Sequence, residues 1–374
     1  MTKRKELKFG LIGSGFMGRT HAFGVALANR VFDLPSRLRL VKIADASNEL
    51  AEKAANELGF DDYTGNWKDL ISDPEIDVIN ITSPNSFHKE MAIAAIQAGK
   101  HVYCEKPLAT SVEDAKEMRD AAEFAGIKTQ VGFNYICNPM LRKARQMILS
   151  GELGYIRGFR GVHAEDYMAA DDSLFTWRHD PLGGGALADL GSHVIATAEY
   201  LVGPIDKVLG DCETVTKRRI DREGKEQAIE VDDVTRAFIR FKNGASGSIE
   251  ANWMATGRKM QHDFEIFGSK GALFFSQERL NELKFYCTED EVGEQGFRTI
   301  WAGPEHKPYD RFCVASGHQL GFCDLKAIEV EGFVRAIHGL VPEPFNFDSG
   351  YRVQRIVDLI QQSSKQTKWV TVGI

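Results

Sequence analysis

The chain reads as an α/β protein with two parts. An N-terminal doubly wound parallel sheet of the Rossmann type is followed by an α+β domain built on an open-faced, largely antiparallel sheet. Three observations predict this. An apolar run, Phe9 to Ile12, feeds a glycine turn and then a helix-compatible stretch. Short apolar strands alternate with helical patterns as far as residue 133, as parallel βαβ units require. Beyond that point the pattern shifts to period-two runs broken by turn residues. A chain of 374 residues suits about two domains, and the division falls between 1–133 and 134–374, with a closing helix near 350–363.

The glycine turn, Gly13-Ser14-Gly15-Phe16-Met17-Gly18, has G-x-G-x-x-G spacing. A pyrophosphate reaches a strand-to-helix turn closely only where no Cβ intervenes, and the helix N-terminus then offers N–H groups to the anion. Gly13 makes the tight turn, Gly15 the close approach and Gly18 the helix–strand packing, with Phe16 and Met17 completing the cofactor loop. A helix over Thr20 to Arg30 leads to a second strand, Leu38 to Ala44, which ends in Asp45. A carboxylate there accepts from the adenosine ribose hydroxyls and repels a 2′-phosphate, favouring NAD over NADP. Helices over Asn48 to Leu58 and Trp67 to Ile71 precede a buried strand, Asp77 to Ile81.

After that strand, Ser83 and Asn85 are placed to cap the helix Lys89 to Ala98 and also to meet a cofactor. For His88 a structural role and a cofactor contact both stay open. The next strand, Lys100 to Cys104, ends in Glu105-Lys106-Pro107, so that a glutamate and a lysine stand at the strand's carboxyl end, beside a proline that fixes the backbone. A helix over Ser111 to Ala125 and a last strand, Lys128 to Phe133, complete the domain, and Asn134 and Tyr135 leave that strand at the same end.

Composition excludes several function classes. Lys+Arg 46 against Asp+Glu 53 gives a net charge of -7, and the basic residues form no block longer than TKRK at the start, which argues against a nucleic-acid partner. There is no apolar run long enough for a bilayer and no signal-like segment, so a cytoplasmic location is expected. Six scattered cysteines without a C-x-x-C pair indicate neither a zinc site nor a disulfide framework.

In the second half a helix over Arg142 to Ser150 precedes a strand over Ile156 to Ala164. Thr235 to Phe241, Ala245 to Ala251, Met260 to Phe267 and Gly271 to Ser276 read as an antiparallel meander. Phe285 to His318 reads as loops, Asp324 to His338 and Gly350 to Ser363 as helices, and Lys368 to Val372 as a short strand. The chemical centre is the run Gly183 to His193, where Asp189 and His193 stand four apart and share a face on a helix. Half a metal site is one reading, but no second pair at ligand spacing accompanies it, and no metal is expected. Packing of His193 against the sheet is another. Acid–base chemistry is the stronger one: oxidising a carbinol requires removal of its proton, and a histidine oriented by a carboxylate does this. Lys106, as a fixed cation, would stabilise the alkoxide. Glu165 and Asp166, followed by Tyr167, come at the end of the first strand of this half, where carboxylates would meet a substrate; surface acids are the alternative.

The glycine loop, SPNSFH after a buried strand, CEKPLA, VGFNYICNP and WRHDPLGGGALADLGSH together resemble the Gfo/Idh/MocA family of NAD(P)-dependent sugar and polyol oxidoreductases. The resemblance covers essentially the whole chain. It implies a catalytic lysine at Lys106, acting with Asp189 and His193 in the family's D-x-x-x-H arrangement. It also implies that Trp177 and Arg178 lie near the cofactor, and that the open sheet makes a homodimer or homotetramer. Where many members carry arginines after the asparagine this chain has Tyr135-Ile136-Cys137, so its substrate is where it departs. The implied activity is NAD-dependent oxidation of a secondary hydroxyl of a sugar, anhydrosugar, glycoside or inositol. The family also contains NAD-dependent glycoside hydrolases and non-catalytic dinucleotide-sensing regulators, which are the alternatives.

Overall fold

The computed structural model describes residues 5–343 and 345–373. Most of the basic TKRK start thus lies outside the described residues. In chain order the elements are β1 (Glu6–Ile12), α1 (Phe16–Val31), β2 (Arg37–Ala44), α2 (Asn48–Leu58), β3 (Asp62–Thr64), α3 (Trp67–Ser72), β4 (Val78–Ile81), α4 (His88–Gln97), β5 (His101–Cys104), α5 (Val112–Ala125) and β6 (Thr129–Val131). The six strands form one parallel sheet in the order β3-β2-β1-β4-β5-β6. The order reverses beside β1, which makes the carboxyl ends of β1 and β4 the switch point where α/β sheets take ligands. Burial explains the apolar runs: all of Val78–Ile81 is buried, as are Val102, Tyr103 and Cys104 of β5. Ser47 and Ser111 cap α2 and α5, and Gly59 and Gly126 end them in the left-handed conformation. By contrast, α4 follows directly on a 3-10 turn at Asn85–Phe87, and Phe87 at its start gives it no side-chain cap.

The chain continues through α6 (Pro139–Leu149), β7 (Ile156–Ala164), a π turn at Leu187–Gly191, α7 (Ser192–Leu201), β8 (Ile205–Glu213), β9 (Arg218–Ile220), β10 (Glu226–Ala228), β11 (Val234–Phe241) and β12 (Ser246–Asn252). There follow β13 (Gln261–Gly268), β14 (Gly271–Ser276), β15 (Glu282–Cys287), β16 (Arg298–Trp301), α8 (Phe322–Ile337), α9 (Phe347–Gln366) and β17 (Val370–Thr371). Nine strands make one sheet, β16-β15-β14-β13-β7-β12-β11-β8-β17. The meander read from the sequence is interrupted. β7 enters between β12 and β13, parallel to the former and antiparallel to the latter, so the sheet is mixed though mostly antiparallel. β15 and β16 also correct the reading of 285–318 as loops. They are short strands whose side chains include many polar or half-exposed residues, so the apolar alternation that marks a strand is faint there.

Two compact units result, 1–137 with 321–351 and 138–320 with 352–374. α8 belongs by its contacts to the first unit, where it packs along α1, although it follows the second sheet in sequence. In the second unit α7 lies close on β7: a Cβ on Gly161 would stand 2.5 Å from a methyl of Val194. The inward residues of β7, Phe159, Gly161 and His163, are buried, and on β11 Arg236, Phe238 and Arg240 point the other way and are exposed.

Candidate active site

In the first unit, β1 ends at Ile12 and the backbone turns through Gly13 at φ +95°, a conformation that glycine adopts without strain. The other two loop glycines serve different ends. A Cβ on Gly18 would lie 2.0 Å from the Gly13 carbonyl oxygen, so Gly18 is required by the protein's own packing. A Cβ on Gly15 would meet nothing within 4 Å, so what its absence keeps open is space for a ligand. α1 begins immediately afterwards with neither a side-chain cap nor an acidic residue in its first turn, which leaves its N–H groups to an anion. Asp45 stands at the end of β2, its carboxylate accepting from Ser14 N at 2.7 Å and from Ala46 N at 2.6 Å. This donor and space arrangement fits a dinucleotide whose adenosine ribose has no 2′-phosphate.

The neighbouring strand ends supply further groups. Asn134 is buried, and its Nδ2 has no hydrogen-bond partner among the described residues, leaving a donor for a ligand to satisfy. Tyr135 is also buried, with its ring 6.0 Å from that of Phe322, which in turn stacks at 5.5 Å on the exposed Phe16 of the glycine loop. His88 is fully buried, one ring nitrogen 3.0 Å from Pro107 O and the other 3.0 Å from Ser83 O. It thereby ties the loop after β4 to the loop after β5, and burial lowers its pKa. Glu105 is buried as well, with Oε1 2.8 Å from His21 Nε2 and 2.9 Å from Lys326 Nζ. Lys106 follows it, half-buried, at the turn into a cis Pro107.

In the second unit the glycines of the GGGALADLGSH run are explained by close approach. A Cβ on Gly184 would lie 2.3 Å from Arg178 O, and one on Gly185 2.3 Å from Asp232 Oδ1. Asp232 Oδ2 accepts from Leu187 N at 2.8 Å, supplying a cap from a distant segment to the helical start that carries Asp189 and His193. Burial pushes the Asp232 carboxyl up. The expected helix opens as a π turn, a form that widens the backbone and recurs at functional sites. Asp189 Oδ2 accepts from Tyr167 Oη at 2.8 Å and from Arg178 Nε at 3.0 Å. Burial and this carboxylate push the Tyr167 phenol well above its usual value. The Arg178 guanidinium also lies 4.4 Å over the Trp177 ring, so Trp177 packs on the arginine that meets Asp189.

His193 is buried in a group of three imidazoles, its ring centroid 5.4 Å from that of His163 and 6.2 Å from that of His262. His163 Nε2 is 3.0 Å from Glu165 Oε1, so Glu165 joins the group through His163. Burial, aided by His163, holds His262 far below the usual imidazole range. Asp166 is turned elsewhere: it bonds Lys259 Nζ at 2.7 and 2.9 Å and Gly257 N at 3.0 Å. His163 and His262 were missed in the sequence, yet each sits on the buried side of its strand's alternation, beside Phe159 and Phe264. That alternation was the available signal. Among the described residues no group of three or more His, Cys, Asp or Glu is arranged to hold a metal ion.

Residues 7–133 match the model of an oxidoreductase family with an NAD-binding Rossmann fold, and residues 141–274 match the GFO/IDH/MocA C-terminal domain. Levoglucosan dehydrogenase of Pseudarthrobacter phenanthrenivorans is 38% identical, over 98% of this chain and 98% of its own length. The chain belongs to the Gfo/Idh/MocA family of oxidoreductases. A second member, scyllo-inositol 2-dehydrogenase (NAD(+)) of Bacillus subtilis, is 30% identical over 72% of this chain and 73% of its own. A solved structure of levoglucosan dehydrogenase in complex with NADH and levoglucosan has a TM-score of 0.95 at 38% identity, covering 98% of this chain and 99% of that one. The glycine turn, α1 and Asp45 are therefore parts of a Gfo/Idh/MocA NAD-binding domain.

Proposed function

We propose that the chain is an NAD-dependent dehydrogenase that oxidises a secondary hydroxyl of a sugar-like substrate to a ketone, with levoglucosan or a related anhydrosugar as the first candidate and a glycoside or inositol as the next. The single observation that carries this is the 38% identity to levoglucosan dehydrogenase over 98% of this chain, and Lys106, Asp189 and His193 are the groups to which we assign the chemistry. Gly13, Gly15, Phe16, Met17, Gly18, Asp45, Ser83, Asn85, His88, Glu105, Lys106, Asn134, Trp177 and Arg178 are assigned to NAD. Tyr135, Glu165 and Asp166 are assigned to the substrate together with the three catalytic groups. We further assign 1–133 to cofactor binding and 134–374 to substrate binding and association of copies, in the cytoplasm.

When bound, the nicotinamide supplies the acceptor for the hydride that leaves the carbinol carbon. The protein's part is to manage the proton and the charge. A neutral His193 imidazole takes the hydroxyl proton, and His163 packs beside it with Glu165 behind. The Lys106 ammonium stabilises the alkoxide as it forms. Asp189, fixed by Tyr167 and Arg178, presents an acceptor of set orientation to a substrate hydroxyl. Absorbance at the NADH band with NAD and levoglucosan, myo-inositol, glucose and simple glucosides tests the assignment. Reduction of NAD on one of them is the expected result. Sugar release without net reduction would instead make the protein a glycoside hydrolase, and binding of NAD with neither reaction a sensor. In the active case Lys106→Ala and His193→Ala should each lower kcat by at least about 100-fold while NADH affinity stays within about threefold. Full activity in either variant would remove that residue from the mechanism.

A further inference from the structure

A buried ionic cluster in the first unit takes no part in the steps above. Lys326 on α8 is fully buried, and its Nζ lies 2.9 Å from Glu105 Oε1, 2.8 Å from Glu329 Oε2, 3.3 Å from His21 Nε2 and 3.1 Å from Tyr103 Oη. An ammonium removed from water at this depth persists only where its partners offset the lost hydration. Neighbouring residues are shaped to admit it. A Cβ on Gly24 of α1 would lie 2.7 Å from the lysine Cγ, and a Cβ on Gly132 would lie 2.3 Å from Glu105 Oε1. Two segments thus open space for one ion pair.

The clue to its purpose is the second oxygen of Glu105. While Oε1 is held by Lys326 and His21, Oε2 accepts the backbone N–H of Lys106 at 3.2 Å. We propose that Lys326 is a positioning residue of the dehydrogenase: it keeps Glu105 a carboxylate, and Glu105 fixes the main chain from which Lys106 projects. The inference rests on the reading of Lys106 as the group that stabilises the alkoxide.

The charges around Glu105 support this. Besides the adjacent Lys106, the titratable groups that face it are His21 from α1, His88 from α4, Tyr103 and Cys104 on its own strand, and Lys326 and Glu329 from α8. Burial and Lys326 pull His21 down to about 4, so it is neutral at pH 7. Tyr103 and Cys104 are pushed well up by burial and are neutral too, and burial also raises Glu329. Burial alone would raise Glu105, and Lys326 with the His21 hydrogen bond reverses that and holds it far below the usual carboxylate range. Lys326 itself stays charged because Glu105 and Glu329 outweigh its burial.

The test uses Lys326→Met, which keeps the stem and removes the charge, and Glu105→Gln, which keeps the size and an acceptor oxygen. Without Lys326, burial pushes the Glu105 carboxyl up, opposed by the hydrogen bond from His21. Lys326→Met should therefore lower kcat at least about tenfold with the sugar KM and NADH affinity within about threefold. Its kcat should also rise with pH over a range where the wild type is flat, as Glu105 regains its charge. Glu105→Gln should show the same loss without that rise. A second readout needs no sugar: the rate of reductive methylation of Lys106 in the full chain with NADH bound, followed by peptide mass spectrometry, should change at least about threefold in both variants. Wild-type kcat and wild-type Lys106 reactivity in either variant would overturn the proposal, and a lowered melting temperature alone would mark the cluster as structural. If the wild type oxidises no sugar yet Lys106 reactivity shifts in the variants, the dehydrogenase reading fails and the positioning role stands. Should Lys326→Met not fold, Glu105→Gln carries the test on both readouts.

Discussion

At the scale of single residues, the glycine loop separates what the fold needs from what a ligand needs. Gly18 stands where any Cβ collides with the Gly13 carbonyl, whereas Gly15 faces open space at an ordinary φ of -63°. Gly18→Ala should therefore destabilise the chain, by about 1–3 kcal/mol from overpacking against rigid backbone. Gly15→Val should leave stability nearly unchanged and weaken NADH binding by at least about tenfold, because the new side chain fills the pyrophosphate's place. Urea melts of the apo protein and fluorescence titration with NADH separate the two effects, and a Gly15→Val protein with wild-type affinity would sink the loop assignment. The sequence already distinguished these glycines by their order in the motif. It did not reveal that the glycines at 184 and 185 answer to Arg178 O, Asp180 O and Asp232, since those partners are brought near only by the tertiary fold.

At the scale of elements, the parts legible in the sequence were those whose identity is set locally. α2 and α5 carry serine caps at one end and a left-handed glycine at the other, and β4 is buried throughout, with Val78, Ile79 and Ile81 apolar and Asn80 its one polar residue. What escaped was set by distant partners. β7 slips between β12 and β13, a choice of neighbour that period-two alternation does not encode. α8 shows helical periodicity, but nothing in it declares that Lys326 and Glu329 face inward to meet α1 and β5. Lysine and glutamate three apart read more naturally as a solvated pair. The α1–α8 contact has a consequence for acid stability. His21 drops from an ordinary 6.5 to about 4 in the folded chain, so between these values the unfolded chain binds more protons than the folded one. Stability from this group is thus intact above pH 6.5, falls as pH drops toward 4, and changes no further below. Its full extent is about 3 kcal/mol, at about 1.4 kcal/mol per pH unit for one proton. Replacing His21 by Gln should flatten the stability curve over that window by about one proton relative to the wild type. Urea unfolding at several pH values gives both slopes, and parallel curves would mean that His21 takes up its proton in the folded state.

At the scale of the molecule, the second sheet sets the remaining question, which is what covers its outer face. One side of β7, β11 and β12 is buried, with α7 close on β7 and β12. On the other side Phe238 is 62% exposed and Trp369 41%, and both line a trough of about 360 Å³ together with Gly158, Arg160, Arg240 and Phe267. Sheets present one face to water readily when that face is polar, but large aromatic side chains standing on it mark a surface that associates. A second copy of the chain is the occupant we propose, because the same face would then cover itself through two-fold symmetry. The arginines suggest how to test this. Arg160 and Arg236 beside Phe238 are paired with Glu265 and Glu250, so Phe238→Arg sets an unpaired charge where an isologous contact would bury it against its own copy. Sedimentation velocity should find the wild type as a dimer or tetramer and the variant at a lower mass. Because Gly13, Gly15 and Asp45 all lie in the first unit, the variant should still bind NADH with unchanged affinity, which shows that it has folded. A monomeric wild type, or a variant that associates as the wild type does, would mean that this face is not where copies meet.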